Sequence, residues 1–176
     1  VMSTTTARRA DYRDYLAETG RPPPRRPTGA GSRRKGATGE REFSAALAGL
    51  IGVTLARNLE QSRKGGHDLI LPDDATGPVA ETLARLAVEV KRYREAPPGS
   101  LALWWSQAVS QADRAGLWPA LAYRADRHPW RVRLPLGCVR PDLFPLWADN
   151  ELTADLPLPA FASLVREDGI APRPAS

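Results

Sequence analysis

Leu86-Ala87-Val88-Glu89-Val90-Lys91 is the stretch that decides the fold. A short apolar run of this kind, rich in β-branched residues and ending in charge, reads as a buried strand. Successive strand side chains point to opposite faces. Glu89 and Lys91 therefore project together, while Val90 points the other way, into a core. Upstream, Gly65-Gly66-His67-Asp68-Leu69 is a turn running into a second strand over His67 to Leu71. Asp68 lies 21 positions before Glu89, which allows a hairpin-like return that sets the two strands side by side.

Working outward, the pattern turns helical from Thr38, with Phe43, Ala46, Leu47 and Leu50 at helical spacing. Thr38 can cap that helix, and Gly49 and Gly52 mark its end. Val53 to Leu59 reads as a strand, Gln61 to Gly66 as a polar turn, and Pro72 to Gly77 as a loop. Ala96-Pro97-Pro98-Gly99 breaks the chain. Ser100 to Gly116 is then a second helix, apolar along Leu101, Trp104, Trp105, Ala108 and Ala112. Pro119 to Tyr123 and Trp130 to Leu134 are two more strands, with His128-Pro129 in the turn between them. Beyond Gly137 the chain is Pro-rich, with a small closing helix over Leu158 to Arg166. This order predicts an α/β sandwich around one mixed sheet of about five strands.

The chain has 176 residues, enough for one domain with a proper core. Its 42% hydrophobic and 26% charged residues fit a globular protein. No apolar run approaches the roughly 20 residues of a membrane span, and the Arg-rich start does not read as a secretory signal. One cysteine, Cys138, excludes an internal disulfide and a Cys-based zinc site. Neither His67 nor His128 is tied to it by spacing, so it reads as an ordinary thiol, and a cytosolic (bacterial or phage-infected host) compartment is the simplest expectation.

Net charge is +5. Residues 1–35 carry nine Lys/Arg and three Asp/Glu, and the rest 16 and 17. The basicity therefore sits in an N-terminal arm, residues 1–34, whose Arg21-Pro22-Pro23-Pro24-Arg25-Arg26-Pro27 cannot be helical and whose Gly29-Ala30-Gly31-Ser32 adds flexibility. Such an arm is either a solubilising tail or a DNA tether that neutralises phosphates. A core over 35–137 and a Pro-rich extension over 138–176 complete the expected organisation.

Asp68, Glu89 and Lys91 suit phosphodiester hydrolysis. Mg²⁺ prefers carboxylate, carbonyl and water oxygens. Asp68 and Glu89 would supply two carboxylates, and the Val90 carbonyl a third oxygen. Such an ion polarises a phosphate and activates water, and Lys91 can offset charge building on the phosphate. Separately, each motif has an ordinary reading: Glu-Val-Lys as a solvated strand end, and Asp after Gly-Gly as a turn. Together and in order they say more.

Arg34-Lys35-Gly36, Gly39-Glu40-Arg41-Glu42, Gly65-Gly66-His67-Asp68-Leu69 and Val88-Glu89-Val90-Lys91 resemble the PD-(D/E)XK nuclease superfamily over about residues 34–135. Within it they look most like archaeal Holliday-junction resolvases and similar phage-encoded nucleases, above all through Lys-Gly-x-x-Gly-Glu-Arg-Glu. The resemblance implies a restriction-endonuclease-like core and a Mg²⁺- or Mn²⁺-dependent DNA endonuclease. It implies Asp68 and Glu89 as metal ligands, Lys91 as the catalytic lysine, and Glu40, or failing it Glu42, completing the site. Gln107 and Gln111, one turn apart on the second helix, stand where relatives carry a site-facing glutamine; an exposed polar stripe is the alternative. His67 stands where the family name has proline, and reads as structural. A resolvase must cut two strands symmetrically, which implies a homodimer.

Arg34, Lys35, Arg57, Arg63, Lys64, Arg92 and Arg94 cluster around these motifs and could hold phosphates either side of a scissile bond. Trp104 and Trp105 could stack on bases, although the apolar helix face favours burial; Trp118 and Trp130 read as core or interface. Competing readings are a catalytically silent DNA-binding module on the same fold, and an accessory protein acting through residues 138–176.

Overall fold

In the computed structural model the described residues are 29–59 and 66–174, with side chains described from residue 36 onward except that of residue 145. Arg34–Ser176 form one compact unit. The elements run α1 (Gly29–Ile51), β1 (Ala56–Arg57), β2 (Leu69–Ile70), α2 (Pro78–Leu83), β3 (Leu86–Tyr93), α3 (Pro98–Ala115), β4 (Trp118–Ala125), β5 (Arg131–Pro135), β6 (Thr153–Pro157) and α4 (Leu158–Arg166). Two 3-10 turns, Leu136–Cys138 and Pro141–Leu146, lie between β5 and β6.

The strands form one six-stranded mixed sheet in the order β1-β2-β3-β4-β5-β6. Only β3 and β4 are parallel, joined by the α3 crossover; all other neighbours are antiparallel. The α/β sandwich expected from the sequence is thus present, with one strand more than expected.

Strand alternation separates two cores. Val88 and Val90 of β3, Ala120 and Ala122 of β4, and Val132 and Leu134 of β5 meet Phe43, Leu47 and Ile51 of α1 and Phe161, Ala162 and Val165 of α4. On the other face, Leu121 and Tyr123 of β4 meet Trp104, Trp105 and Ala108 of α3. β3 is therefore covered on both sides, and the residues sharing a face with Glu89 lie beneath α3.

Three differences from the sequence reading have physical causes. α1 begins at Gly29, nine residues before Thr38. Once the packed half of a helix is nucleated, each added residue costs little, and Ala30, Arg33, Arg34 and Lys35 are good helix formers. The hairpin strands β1 and β2 shrink to two residues each, because pairing there is limited to Ala56 with Ile70 and Arg57 with Leu69. α2 and β6 emerge from stretches that had no clear pattern. β6 ends in Pro157 and sits at the sheet edge, where proline is tolerated.

The chain beyond Gly137 packs into the same unit. Ile170 is fully buried in the larger core. The Ala171 amide donates to the Cys138 carbonyl (2.8 Å), and the Trp118 indole donates to the Ala171 carbonyl (2.7 Å). Arg173 donates to the carbonyls of Ala112 (3.3 Å) and Leu117 (2.9 Å), and so caps the end of α3. Its guanidinium lies 4.0 Å from the centre of the Trp147 ring.

Candidate active site

The site assembles where β2 stops short beside β3. Leu69 pairs with Val88, and the Asp68 amide donates to the Val88 carbonyl (2.9 Å). One residue pair further, β2 offers no strand. The Asp68 carboxylate takes its place, with Oδ2 accepting from the Val90 amide at 2.7 Å. In a strand the amide and carbonyl of one residue point to the same side. The Val90 carbonyl therefore faces the edge where Asp68 sits.

Glu89 lies under α3 and is 1% exposed. Its Oε1 accepts from Lys91 Nζ at 2.6 Å and from Gln107 Nε2 at 2.8 Å. Its Oε2 is buried and has no hydrogen-bond partner. A buried anion with an unsatisfied oxygen is costly. Burial first, and then the nearby Asp68 charge, push the Glu89 carboxyl up to about 7 against the downward pull of Lys91.

That orphaned oxygen, with the Asp68 carboxylate nearby, suits a hard divalent cation. Among the described residues no three His, Cys, Asp or Glu side chains gather as a metal-holding group. The acidic side chains that approach each other at this point are the pair Asp68 and Glu89. Mg²⁺ is commonly held in this way.

Glu40 and Glu42 leave α1 in different directions. Glu40 pairs with Arg57 of β1. Glu42 accepts from Arg92 Nη1 of β3 at 2.7 Å and from Arg124 Nη2 of β4 at 2.5 Å. Gly39 explains why this motif opens on glycine. It is buried, and a Cβ there would stand 3.1 Å from the Arg92 Cβ. A side chain would hold α1 off β3.

Of the remaining expected residues, Gln107 reaches Glu89, while Gln111 is 7% exposed with a buried, unpartnered Oε1. Arg92 is engaged by Glu42 and lies 3.5 Å from Asp126. The Arg94 side chain is 91% exposed, with Glu95 at 3.9 Å. Arg63 and Lys64 lie outside the described residues, as do the side chains of Arg34 and Lys35. His67 lines an apolar recess with Leu55, Leu69 and Leu83. Burial lowers its pKa against the opposing pull of Asp68, and its Nδ1 has no partner. Trp104 and Trp105 are buried. Burial pushes the Cys138 thiol up to about 12, as suits an inert core residue.

One neighbour of the site escaped the sequence reading. Tyr123 is the β4 register partner of Lys91 and so shares its face. Its hydroxyl lies 2.8 and 2.9 Å from the Asp155 carboxylate oxygens, and Arg133 Nη2 also donates to Asp155, at 2.7 Å. The odd-numbered polar positions Tyr123, Arg131 and Arg133 on otherwise apolar strands were the available signal.

Comparison with known proteins gives a family. A family model described as "Phage putative PDDEXK endonuclease" matches residues 31–146, a span that contains Asp68, Glu89, Lys91 and Gln107. Among solved structures the chain is similar to Hjc, a Holliday junction resolvase of Archaeoglobus fulgidus. The two share 24% identity over 56% of this chain and 70% of that one, with a TM-score of 0.36. No curated protein matches.

Proposed function

The chain belongs to the phage PDDEXK endonuclease family, and we propose from that footing that it is a divalent-metal-dependent DNA endonuclease acting at Asp68, Glu89 and Lys91. The observation that carries this reading is the buried Glu89 carboxylate: Lys91 and Gln107 fix one oxygen, and the other has no partner beside Asp68. Asp68, Glu89 and the Val90 carbonyl would hold Mg²⁺ or Mn²⁺, with Glu40 acting through water from α1. The ion would supply Lewis acidity at the phosphate and at the attacking water.

The chain's own residues do the rest. The Val90 amide locks Asp68, and Gln107 locks Glu89, so neither carboxylate reorganises when substrate arrives. Lys91 holds a cation at the strand end, where it can meet a phosphate oxygen as charge develops there. Its ion pair with Glu89 also keeps two buried carboxylates tolerable before metal binds.

Branched DNA is the substrate we favour, because Lys35-Gly36-x-x-Gly39-Glu40-Arg41-Glu42 resembles the resolvase branch of the superfamily. Symmetric cutting of a branch then calls for a homodimer in the cytoplasm of the bacterial or phage-infected cell. Among the described residues no helix is long and apolar enough to cross a membrane.

The test is cleavage of four-way-junction, duplex and single-stranded DNA with Mg²⁺, Mn²⁺ or EDTA, alongside light scattering for mass. Metal-dependent cuts that vanish in Lys91→Ala and Asp68→Ala are expected. Cleavage that survives both substitutions would sink the site. Binding without cleavage in any metal would favour the silent-module reading.

A further inference from the structure

Along β3 the side chains that face α3 are Ala87, Glu89, Lys91 and then Tyr93. The first two are buried, but Tyr93 is 51% exposed. Its ring stacks on Trp104, with centroids 4.7 Å apart and planes 25° apart. Trp104 is buried, so it forms a fixed backing. Leu103 is 70% exposed. It precedes Gln107 by one helical turn and so lies on the side of α3 that reaches Glu89. Single exposed apolar residues are ordinary, but Tyr93 lies two residues beyond Lys91 on the same face of β3.

A recess of about 450 Å³ begins at the next residue along the chain, lined among others by Arg94, Glu95, Tyr123, Arg124, His128 and Arg131. Arg124 and Arg131 are held by Glu42 and Asp155. Arg94 projects into solvent.

We propose that Tyr93, backed by Trp104, is a stacking platform for an unpaired nucleobase beside the scissile phosphate, with Arg94 and the adjoining recess taking the backbone phosphate of that nucleotide. This rests on the nuclease reading and sharpens its substrate. A base inside a duplex has both faces covered by its neighbours, so only an unpaired or splayed nucleotide presents a face to an aromatic ring. The preferred DNA therefore presents an unpaired nucleotide at the cut, as a flap does or as a branch point does once a pair beside it opens.

The direct test places one unpaired 2-aminopurine in a duplex and follows its fluorescence on binding in EDTA. The wild-type protein is expected to quench it. Tyr93→Ala should lose most of the quench and bind about tenfold more weakly, the worth of roughly one stacked base, while Tyr93→Phe should keep both. With Mg²⁺, Tyr93→Ala should lower kcat/KM about tenfold more on this DNA than on the fully paired duplex. No quench by the wild type, a quench that survives in Tyr93→Ala, or equal losses on both DNAs would overturn the proposal. Quenching is read without metal, so a protein that quenches but cuts no DNA would count against the nuclease reading alone.

Discussion

Glu89 carries the tension of the site. Its carboxyl, raised to about 7 by burial and by Asp68, exchanges its proton near neutral pH instead of far below it. The sign follows: a raised folded-state pKa contributes stability that is present below the ordinary value of 4.5 and lost as pH rises through about 7. Glu89→Gln mimics the neutral acid. In EDTA its stability advantage over the wild type should widen between pH 5 and pH 8, measured by urea denaturation, while cleavage is abolished. A gap that stays constant with pH would contradict the burial argument. Metal binding has the opposite sense, since the carboxylate must lose its proton first. Mn²⁺ affinity by calorimetry should fall steadily below about pH 7. At this scale the sequence was informative where strand alternation rules: Glu89 and Lys91 share a face and Val90 turns inward. The pairings of Glu40 with Arg57 and of Glu42 with Arg92 and Arg124 were not legible. They depend on how α1 lies against the sheet, which no local pattern encodes.

Elements are positioned by a few close contacts. Gly39 allows α1 to approach β3. Gly39→Val should destabilise by about 1–3 kcal/mol through overpacking against Arg92, seen as a lower urea midpoint with an unchanged slope. An unchanged midpoint would show that the helix has room to spare. At the other end, Arg173 is only 5% exposed at its side chain and holds two carbonyls and Asp113. Arg173→Ala should cost about 2–3 kcal/mol, given the usual worth of hydrogen bonds to charged groups. These contacts also explain what the sequence hid. A helix, a buried strand and a crossover declare themselves by periodicity, so α3, β3 and β4 were readable. The stretch after Gly137 has 3-10 turns, a proline-ended edge strand and a terminal segment held by tertiary bonds. None of these has a period to detect. Cutting the chain after Gly137 would remove Ile170 and β6 from the fold, so loss of soluble protein, rather than loss of a separable partner, is the expected outcome.

For the molecule as a whole, excess charge and chemistry lie in different stretches of the sequence. The excess basic charge lies within residues 1–35, while several arginines near the site are paired with acids. If the arm tethers DNA, deleting residues 1–28 should weaken binding and flatten its salt dependence, leaving the single-turnover rate at saturating DNA intact. An unchanged salt slope would leave the arm as a solubilising tail. The central claim is that Asp68 and Glu89 jointly hold the ion that serves hydrolysis, and it is most directly tested by anomalous scattering from a crystal soaked in Mn²⁺. One peak bonded to Asp68, Glu89 Oε2 and the Val90 carbonyl, absent from Asp68→Ala crystals, is the expected result; a peak elsewhere, with cleavage retained by Asp68→Ala, would contradict it.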